Sequence, residues 1–283
     1  MQHPIIAKRE ITQYILKRFG IRMNKKLGQN FLIDEGIIAG IVNTAKITAD
    51  DVVLEIGPGI GTLTQGVLET GAQVYAVEID KKLLPVLEHT LEGYDNLEII
   101  NADILKTDIK ELIGNRSFKV VANLPYYITT PIIMALLEED LPITQLVTMV
   151  QKEVAERMAA VPGSKIYGAL SVAVQYYSKP EISFIVPPNS FMPSPEVDSA
   201  VIVCDIYKDK PVKPVDKKAF FQVVKAAFGQ RRKTLTNSLG LLGLPKDEVR
   251  ELLAQAQIDG RRRGETLSLQ EFKILADILV LKK

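Results

Sequence analysis

An apolar run leads directly into a glycine-rich turn in the stretch Val52-Val53-Leu54-Glu55-Ile56-Gly57-Pro58-Gly59-Ile60-Gly61-Thr62. The run 52–56 predicts a buried β-strand, and residues 62–69 predict the helix that follows it. Glycines let a backbone come close to a ligand, so such a turn at the carboxyl end of a strand indicates a binding site. Taken alone, the turn is also compatible with an ordinary strand–helix connection.

The same alternation of strands and helices continues along the chain. Further strands are predicted at residues 73–78, 97–101, 118–122 and 145–150. Helices between them, at 81–89 and 131–138, predict a mostly parallel sheet covered on both faces. Three later strands follow one another through Pro-rich turns, at 172–177, 182–186 and 200–207. They predict antiparallel strands at the far edge of the sheet. The expected fold class is therefore α/β and Rossmann-like.

Four segments are expected in the chain. They are a basic arm at 1–30, an α/β domain at 31–207, a linker at 208–215 and a small all-α domain at 216–283. The linker carries two prolines and three lysines, a composition typical of a domain boundary. Helices are predicted in the last segment at 217–228, 231–239, 246–255 and 269–281.

The composition is that of a soluble globular protein, with 47% apolar and 24% charged residues among 283. No apolar run approaches the ~20 residues that span a bilayer. The N-terminal residues lack a signal-peptide core, so a cytoplasmic location is expected. Cys204 is the single cysteine, which excludes an internal disulfide. With only two histidines, no Cys/His metal centre is expected.

Basic residues are clustered although the net charge is only +1. Clusters of this kind suit an RNA-phosphate surface, although each alone is compatible with a solvated helix face. The helical tail is accordingly either an RNA-binding domain or a packing appendage. The candidate RNA-binding residues are Lys25, Lys26, Arg231, Arg232, Lys233, Arg261, Arg262 and Arg263.

Acidic side chains stand at the ends of successive predicted strands. Glu78 ends the second strand, where a carboxylate can accept hydrogen bonds from both hydroxyls of a ribose. Asp103 follows the third strand, with Ile104 beside it. The glycine spacing excludes a nicotinamide fingerprint, because Gly61 comes one place early. The turn with Glu55 instead resembles the one that holds S-adenosylmethionine in class I methyltransferases.

Asn123-Leu124-Pro125-Tyr126 follows the predicted strand 118–122. The Asn123 side-chain oxygen and the Leu124 carbonyl are two acceptors suited to a planar exocyclic amine such as N6 of adenine. Tyr126 offers a face on which a flipped base can stack. A Pro turn at a strand end, with Tyr126 as packing, is the structural alternative.

Together with further motifs, these residues resemble the ribosomal RNA adenine dimethyltransferases. The similarity spans the whole chain and includes Leu27-Gly28-Gln29-Asn30-Phe31-Leu32, Pro187-Pro188-Asn189-Ser190-Phe191, Pro193-Ser194-Pro195-Glu196-Val197-Asp198-Ser199 and Phe228-Gly229-Gln230-Arg231-Arg232-Lys233-Thr234-Leu235. The last motif and Gly264-Glu265-Thr266-Leu267-Ser268 are similar to the bacterial branch that acts on small-subunit rRNA. Many relatives have His where this chain has Asn30.

The resemblance implies a role for each candidate site residue. Asn123, Leu124, Pro125 and Tyr126 would hold the target amine, and Phe191 would pack on the other face of the flipped adenine. Phe191 is equally compatible with a buried loop anchor. The first residues of the signature would form a lid over the cofactor. The residues implied to bind S-adenosylmethionine are Gln29, Asn30, Leu32, Glu55, Gly57, Gly59, Glu78, Ile79, Asp103, Ile104 and Asn123.

The implied activity is methylation of N6 on two adjacent adenosines in the 3′-terminal hairpin of 16S rRNA, leaving S-adenosylhomocysteine. The implied partner is rRNA within a preribosomal 30S particle, and a monomer without membrane or metal is expected. Two alternatives stay open. One is an Erm-type dimethylase of large-subunit rRNA, and the other is a non-catalytic nucleic-acid-binding or ribosome-assembly factor on the same fold.

Overall fold

The computed structural model describes residues 4–22, 29–230 and 232–281. The chain forms two compact units. The first runs up to Ala155 and also includes Glu181–Ile206, and the second comprises Glu156–Pro180 and the chain from Tyr207 onward. The boundaries expected from sequence, with a linker at 208–215, do not anticipate that Glu156–Pro180 joins the second unit.

A seven-stranded sheet forms the centre of the first unit. Its strands in chain order are β2 (Val52–Ile56), β3 (Gln73–Glu78), β4 (Leu97–Asn101), β5 (Phe118–Asn123), β6 (Ile143–Gln151), β7 (Ser178–Val186) and β9 (Ser199–Ile206). Their spatial order is β4-β3-β2-β5-β6-β9-β7. The pairs from β4 to β6 are parallel, and β6 pairs with β9 antiparallel. The predicted parallel sheet with an antiparallel edge is confirmed.

The strand order reverses between β2 and β5, which are hydrogen-bonded neighbours. Ligands of open α/β sheets bind at such a reversal, outside the carboxyl ends of the strands. Val53, Leu54, Val120 and Val121 are fully buried, as expected of central strands with both faces covered. The glycine turn and Asn123 leave the sheet side by side at this point.

Helices surround the sheet and the N-terminal segment packs against them. Those that begin in the first unit are α1 (Arg9–Arg18), α2 (Glu35–Thr44), α3 (Thr62–Leu68), α4 (Leu84–Thr90), α5 (Ile109–Ile113), α6 (Thr129–Glu138) and α7 (Lys152–Met158). Ile6, Ile15 and Leu16 bury their side chains in the core. Gln65 on α3 also fixes this segment, since it accepts from the Ile6 N–H (2.9 Å) and donates to the Pro4 carbonyl (3.0 Å). Residues 4–22 of the basic arm are thus anchored by apolar packing and by the hydrogen bonds to Gln65.

Two short strands form a second, antiparallel sheet that is separate from the seven-stranded sheet. It is formed by β1 (Phe31–Leu32) and β8 (Phe191–Met192). The Ile33 N–H donates to the Ser190 carbonyl (2.8 Å), and the Ser190 hydroxyl bonds Asp34, which also caps α2. These bonds hold the segment after residue 28 against the loop that precedes β9.

The second unit is helical, and one of its helices includes residues that the sequence pattern predicts as a strand. Residues 172–177, predicted as a strand, lie in α8 (Ala169–Tyr177). Nearly all of α8 is buried, so the run shows no helical periodicity and resembles a buried strand. The Gly168 N–H donates to Ser171 Oγ (3.0 Å), which caps the first turn.

Four further helices complete this unit: α9 (Lys217–Gly229), α10 (Leu235–Ser238), α11 (Lys246–Gln255) and α12 (Leu269–Leu281). Gly264 permits a close approach to α9, because a Cβ there would lie 2.8 Å from the Ala227 carbonyl oxygen. Ser268 and Glu271 form a capping box at the start of α12. In the described ranges, no helix has the length and apolarity needed to cross a membrane.

Candidate active site

A cavity lies at the carboxyl ends of β2, β3 and β5, and the predicted motifs meet there. Its lining includes most of the predicted cofactor and amine-binding residues. Those are Gln29, Asn30, Leu32, Glu55, Gly57, Gly59, Glu78, Ile79, Asn123, Leu124, Pro125 and Tyr126. Parallel strands bring their ends to one edge of the sheet, which is why motifs distant in sequence converge.

The glycine turn follows β2 with a backbone that other residues rarely adopt. Gly57 and Gly59 have φ angles of 69° and 64°, in the left-handed region that favours glycine. The Gly59 N–H donates to Glu78 Oε2 (3.1 Å), and the Asp80 N–H donates to Glu78 Oε1 (2.8 Å). Glu78 therefore ties the turn to the end of β3. A carboxylate has about four acceptor sites, so Glu78 can still accept from a ligand hydroxyl.

Glu55 is a buried carboxyl in the wall of this cavity, 1% exposed. Its Oε2 atom has no hydrogen-bond partner among the described residues. Burial, with the neighbouring charge of Glu78 adding to it, raises the pKa of Glu55 to about 8. Burial likewise raises the pKa of Glu78. A buried carboxyl group with an unpaired oxygen fits a cationic ligand group, such as a sulfonium or an ammonium, because a neighbouring positive charge favours its ionised form.

The segment that carries Gln29 and Asn30 is bonded to both halves of the cavity. Gln29 Nε2 donates to Asp80 Oδ2 (3.0 Å), beside Glu78. Asn123 Nδ2 donates to the Asn30 carbonyl oxygen (3.1 Å). This second bond fixes the orientation of the Asn123 amide, because its nitrogen points to Asn30 and its oxygen is directed away.

The turn after β5 is held by its own backbone. The Leu124 N–H donates to the Met149 carbonyl on β6 (3.2 Å). The Pro125 carbonyl accepts from the Ile128 N–H (3.2 Å) and the Thr129 hydroxyl (3.0 Å). Asn123 and the Leu124 carbonyl thus sit at the cavity on a rigid support.

Three predicted residues are not brought to the cavity wall. Asp103 caps a short 3₁₀ turn by accepting from the Leu105 N–H (3.1 Å), and Ile104 opens that turn. Phe191 is only 1% exposed and packs in the core, with β8 beside β1. Its surroundings would have to move before a base could stack on it. The proposed roles of Asp103, Ile104 and Phe191 stay predictions.

Comparison with known proteins identifies the family. The family model described as "Ribosomal RNA adenine dimethylase" matches residues 20–279. The chain belongs to the ribosomal RNA adenine dimethylase family. The "Ribosomal RNA small subunit methyltransferase A" of Clostridioides difficile is 51% identical to this dimethylase over 282 residues, covering 98% of each protein.

Two solved structures are similar to the dimethylase. One is a dimethyladenosine transferase from Plasmodium falciparum, with a TM-score of 0.74, 28% identity and coverage of 87% of this chain and 95% of that one. The other is the 23S rRNA methyltransferase ErmE, with a TM-score of 0.70, 28% identity and coverage of 89% and 100%. Both agree with the α/β class and the Rossmann-like methyltransferase fold.

Several residues of the dimethylase site were missed by sequence reasoning. Thr62 and Tyr127 line the cavity, and the Thr62 hydroxyl has no partner among the described residues. Both follow predicted motifs directly, so proximity in sequence was a usable signal. Asp80 and Ser199 support the site through hydrogen bonds. Ser199 lies 73 residues from its partner Tyr126, and no local pattern links the two.

Ser199 positions Tyr126 in the dimethylase. The Tyr126 hydroxyl and Ser199 Oγ are 2.7 Å apart, and Ser199 is fully buried on β9. We expect Ser199→Ala and Tyr126→Phe each to lower kcat/KM for RNA by about five- to ten-fold, because each removes a bond worth roughly 1 kcal/mol. The double variant should lose no more than either single one. Fully additive losses in steady-state assays would contradict this coupling.

The candidate RNA-binding residues of the dimethylase have different environments. Lys25, Lys26 and Arg231 lie outside the described residues. Arg262 bonds Glu271 and the Thr266 carbonyl inside the helical unit. Burial opposes ionisation of Glu271, but the hydrogen bonds from Arg262 and Ser268 and the charge of Arg262 together outweigh it and lower the pKa of Glu271. Arg262 therefore has a structural role that the sequence did not indicate.

The backbone of the helical unit brings the other basic residues together. The Leu235 N–H donates to the Arg262 carbonyl (2.8 Å), and the Thr236 N–H donates to the Gly260 carbonyl (3.1 Å). Four basic residues next to these bonds are exposed, and we call them the paired basic cluster: Arg232, Lys233, Arg261 and Arg263. Arg261 is paired with Asp259.

Among the described residues, no group of His, Cys, Asp and Glu could hold a metal ion.

Proposed function

We propose that this dimethylase transfers methyl groups to N6 of two adjacent adenosines in the 3′-terminal hairpin of 16S rRNA. The proposed substrate is rRNA within an immature 30S particle in the bacterial cytoplasm, and the proposed active form is a monomer. The choice of small-subunit rRNA over large-subunit rRNA is supported by the degree of sequence identity. Identity is 51% to the small-subunit enzyme of C. difficile but 28% to the 23S rRNA enzyme ErmE.

The observation that carries the chemistry is the bond from Asn123 Nδ2 to the Asn30 carbonyl. With its nitrogen engaged there, the amide presents Oδ1 as an acceptor for an N–H of the target amine. The Leu124 carbonyl is a second acceptor on the same rigid turn. Two acceptors on one amine favour a pyramidal nitrogen, whose lone pair is less conjugated with the ring. They also stabilise the positive charge that develops during transfer.

S-Adenosylmethionine supplies an electrophilic methyl group on a sulfonium, which leaves readily. Glu55 would hold the cationic end of this cofactor, because it is a buried carboxyl group with an unpaired oxygen in the cavity wall and would ionise beside a positive charge. Glu78 would accept hydrogen bonds from its ribose, and Ile79 would lie against its adenine. The Gly57 and Gly59 turn lets the backbone approach it closely. Gln29, Asn30 and Leu32 would cover it and exclude water.

Alignment and desolvation, more than a strong base, are what this transfer requires. Burial raises the pKa of Tyr126, so its hydroxyl stays protonated and bonded to Ser199 while the ring stacks on the adenine. The proton of the methylated amine leaves to solvent. In the second transfer the amine has one hydrogen left, which the Leu124 carbonyl holds while Asn123 releases its contact.

The paired basic cluster is proposed to contact rRNA phosphates. We expect the Arg232→Ala/Lys233→Ala/Arg263→Ala variant to bind immature particles more weakly and with a shallower salt dependence. Each lost phosphate contact removes about 0.7–0.9 from the slope of log K against log salt, because fewer counterions are released. The measurement is particle Kd at several KCl concentrations.

A matched control removes three exposed charges from α9 and α11 of the same unit, in Lys218→Ala/Lys246→Ala/Arg250→Ala. Its slope should remain that of the unchanged protein. If both triple variants alter the slope equally, the cluster has no special contact with RNA and the assignment is wrong.

The function itself is tested by methyl transfer from labelled S-adenosylmethionine. Immature small subunits from a strain lacking this gene should accept about four methyl groups per particle, which is two for each of two adenosines. Mass spectrometry should place them on adjacent dimethyladenosines. Transfer to naked large-subunit rRNA instead would identify an Erm-type enzyme. Calorimetry showing no S-adenosylmethionine binding would identify a non-catalytic RNA-binding protein.

A further inference from the structure

Tyr127 is an exposed aromatic residue at the mouth of the candidate active site. It is 59% exposed, although it lines the same cavity as Asn123 and Tyr126. Ile79, on the opposite strand end, lines the cavity as well and is 54% exposed. Apolar surface left open at the rim of a site is typical of a surface that binds a partner.

The two neighbouring tyrosines differ in how they are held. Tyr126 is partly buried and bonded through its hydroxyl to Ser199. The Tyr127 side chain makes no hydrogen bond and no ring contact within the part of the chain that the structure describes. Its backbone is nevertheless fixed, because the carbonyl of Pro125, which precedes it, accepts from the Ile128 N–H and the Thr129 hydroxyl, which follow it. The ring is thus presented to solvent from a rigid support.

A nucleic acid partner gives this arrangement a use. When a base is taken out of the stack into a pocket, the face of the adjoining base loses its neighbour. An aromatic side chain beside the pocket can cover that face, and base–aromatic stacking contributes about five- to 150-fold in affinity per base. A stacking contact reads the face of a base and not its edge, so it tolerates different neighbours.

We propose that Tyr127 stacks on the base adjoining the adenosine that is being methylated. The inference rests on the proposed function, since it requires an RNA substrate with a flipped adenine. It also bears on two adjacent targets. The two adenosines enter the pocket one after the other, and each has a different neighbouring base. Because stacking on Tyr127 does not depend on the identity of that base, the same contact can form at both positions.

The test compares Tyr127→Ala with Tyr127→Phe in steady-state methylation of immature small subunits. Tyr127→Ala should lower kcat/KM about ten-fold or more, through a higher KM, because it removes the stacked ring. Its kcat and its S-adenosylmethionine affinity by calorimetry should stay unchanged, and Tyr127→Phe should retain normal values. Tyr14→Ala is the matched control, since Tyr14 is 57% exposed on α1 and does not line the cavity.

A second experiment removes the base instead of the ring. Two reconstituted particles are prepared, and each has an abasic nucleotide next to the adenosine that is methylated, on its 5′ side in one and on its 3′ side in the other. For one of these two substrates, the kcat/KM of the unchanged protein should fall as much as it does for Tyr127→Ala on the normal particle. On that same substrate, Tyr127→Ala should show no further loss. Normal kcat/KM for Tyr127→Ala, or losses that add to those of both abasic substrates, would overturn the proposal. Failure of the proposed function would be distinct, because the unchanged protein would then methylate no particle.

Discussion

Asn123→Ala is expected to lower kcat by about 100- to 1,000-fold on immature small subunits, the loss typical of removing one preorganised group that stabilises developing charge. The amide oxygen that accepts from the target amine disappears in this variant. So does the donor to the Asn30 carbonyl, which holds the lid segment. Single-turnover methylation with saturating S-adenosylmethionine isolates the first effect, and calorimetry measures the second.

Asn123→Asp separates the two roles further. It keeps an oxygen acceptor but has no N–H to donate, and its charge would face the Asn30 carbonyl. We expect its cofactor affinity to fall more than that of Asn123→Ala, because a carboxylate facing a carbonyl oxygen is repulsive. Asn43→Ala, the same replacement at an exposed position of α2, serves as the control and should be normal. Near-normal turnover of Asn123→Ala would exclude the acceptor role.

Glu55→Gln is expected to have opposite effects on cofactor binding and on stability. Loss of a buried carboxylate beside a cationic ligand group should weaken S-adenosylmethionine binding by about 2 kcal/mol or more, roughly thirty-fold in Kd. Without cofactor, the same change removes a buried charge whose Oε2 atom lacks a partner. The free protein should then be more stable by on the order of 2 kcal/mol at pH 8.

The stability effect has a defined pH dependence. Unperturbed, the carboxyl titrates near 4.5, whereas burial raises the pKa of Glu55 to about 8 in the folded protein. Between these values the unfolded chain has lost a proton that the folded chain retains, so the stability contribution of Glu55 falls as pH rises. The advantage of Glu55→Gln should therefore grow from about pH 5 to pH 8 and then level off.

Thermal unfolding of both proteins without cofactor, at pH 5 and pH 8, measures this difference. Saturating S-adenosylmethionine should reduce or reverse it, because the bound cofactor stabilises the unchanged protein more. Asp205→Asn, which changes an exposed carboxylate on β9 paired with Gln145 on β6, is the control. An advantage of Glu55→Gln that is the same at both pH values would show that the buried charge is not its cause.

Local patterns predicted the elements that carry short, decisive motifs. The glycine turn after β2 and the turn after β5 were placed correctly, because strand ends are marked by glycine, proline and polar residues. Their meeting in one cavity followed from parallel strands alone. The pattern failed at α8, where burial on nearly all sides removes the periodicity that distinguishes a helix from a buried strand.

The sequence by itself determined the fold class, the family and the residue types at the cavity, since each depends on short motifs and their order. Only the tertiary structure decided how those residues are held. The bond from Asn123 to Asn30 spans 93 positions, and that from Tyr126 to Ser199 spans 73. The tertiary structure also pairs Arg262 with Glu271 in a salt bridge and buries Phe191 in the core. Such partners meet through the packing of the whole chain, and no local spacing specifies which side chain will face which.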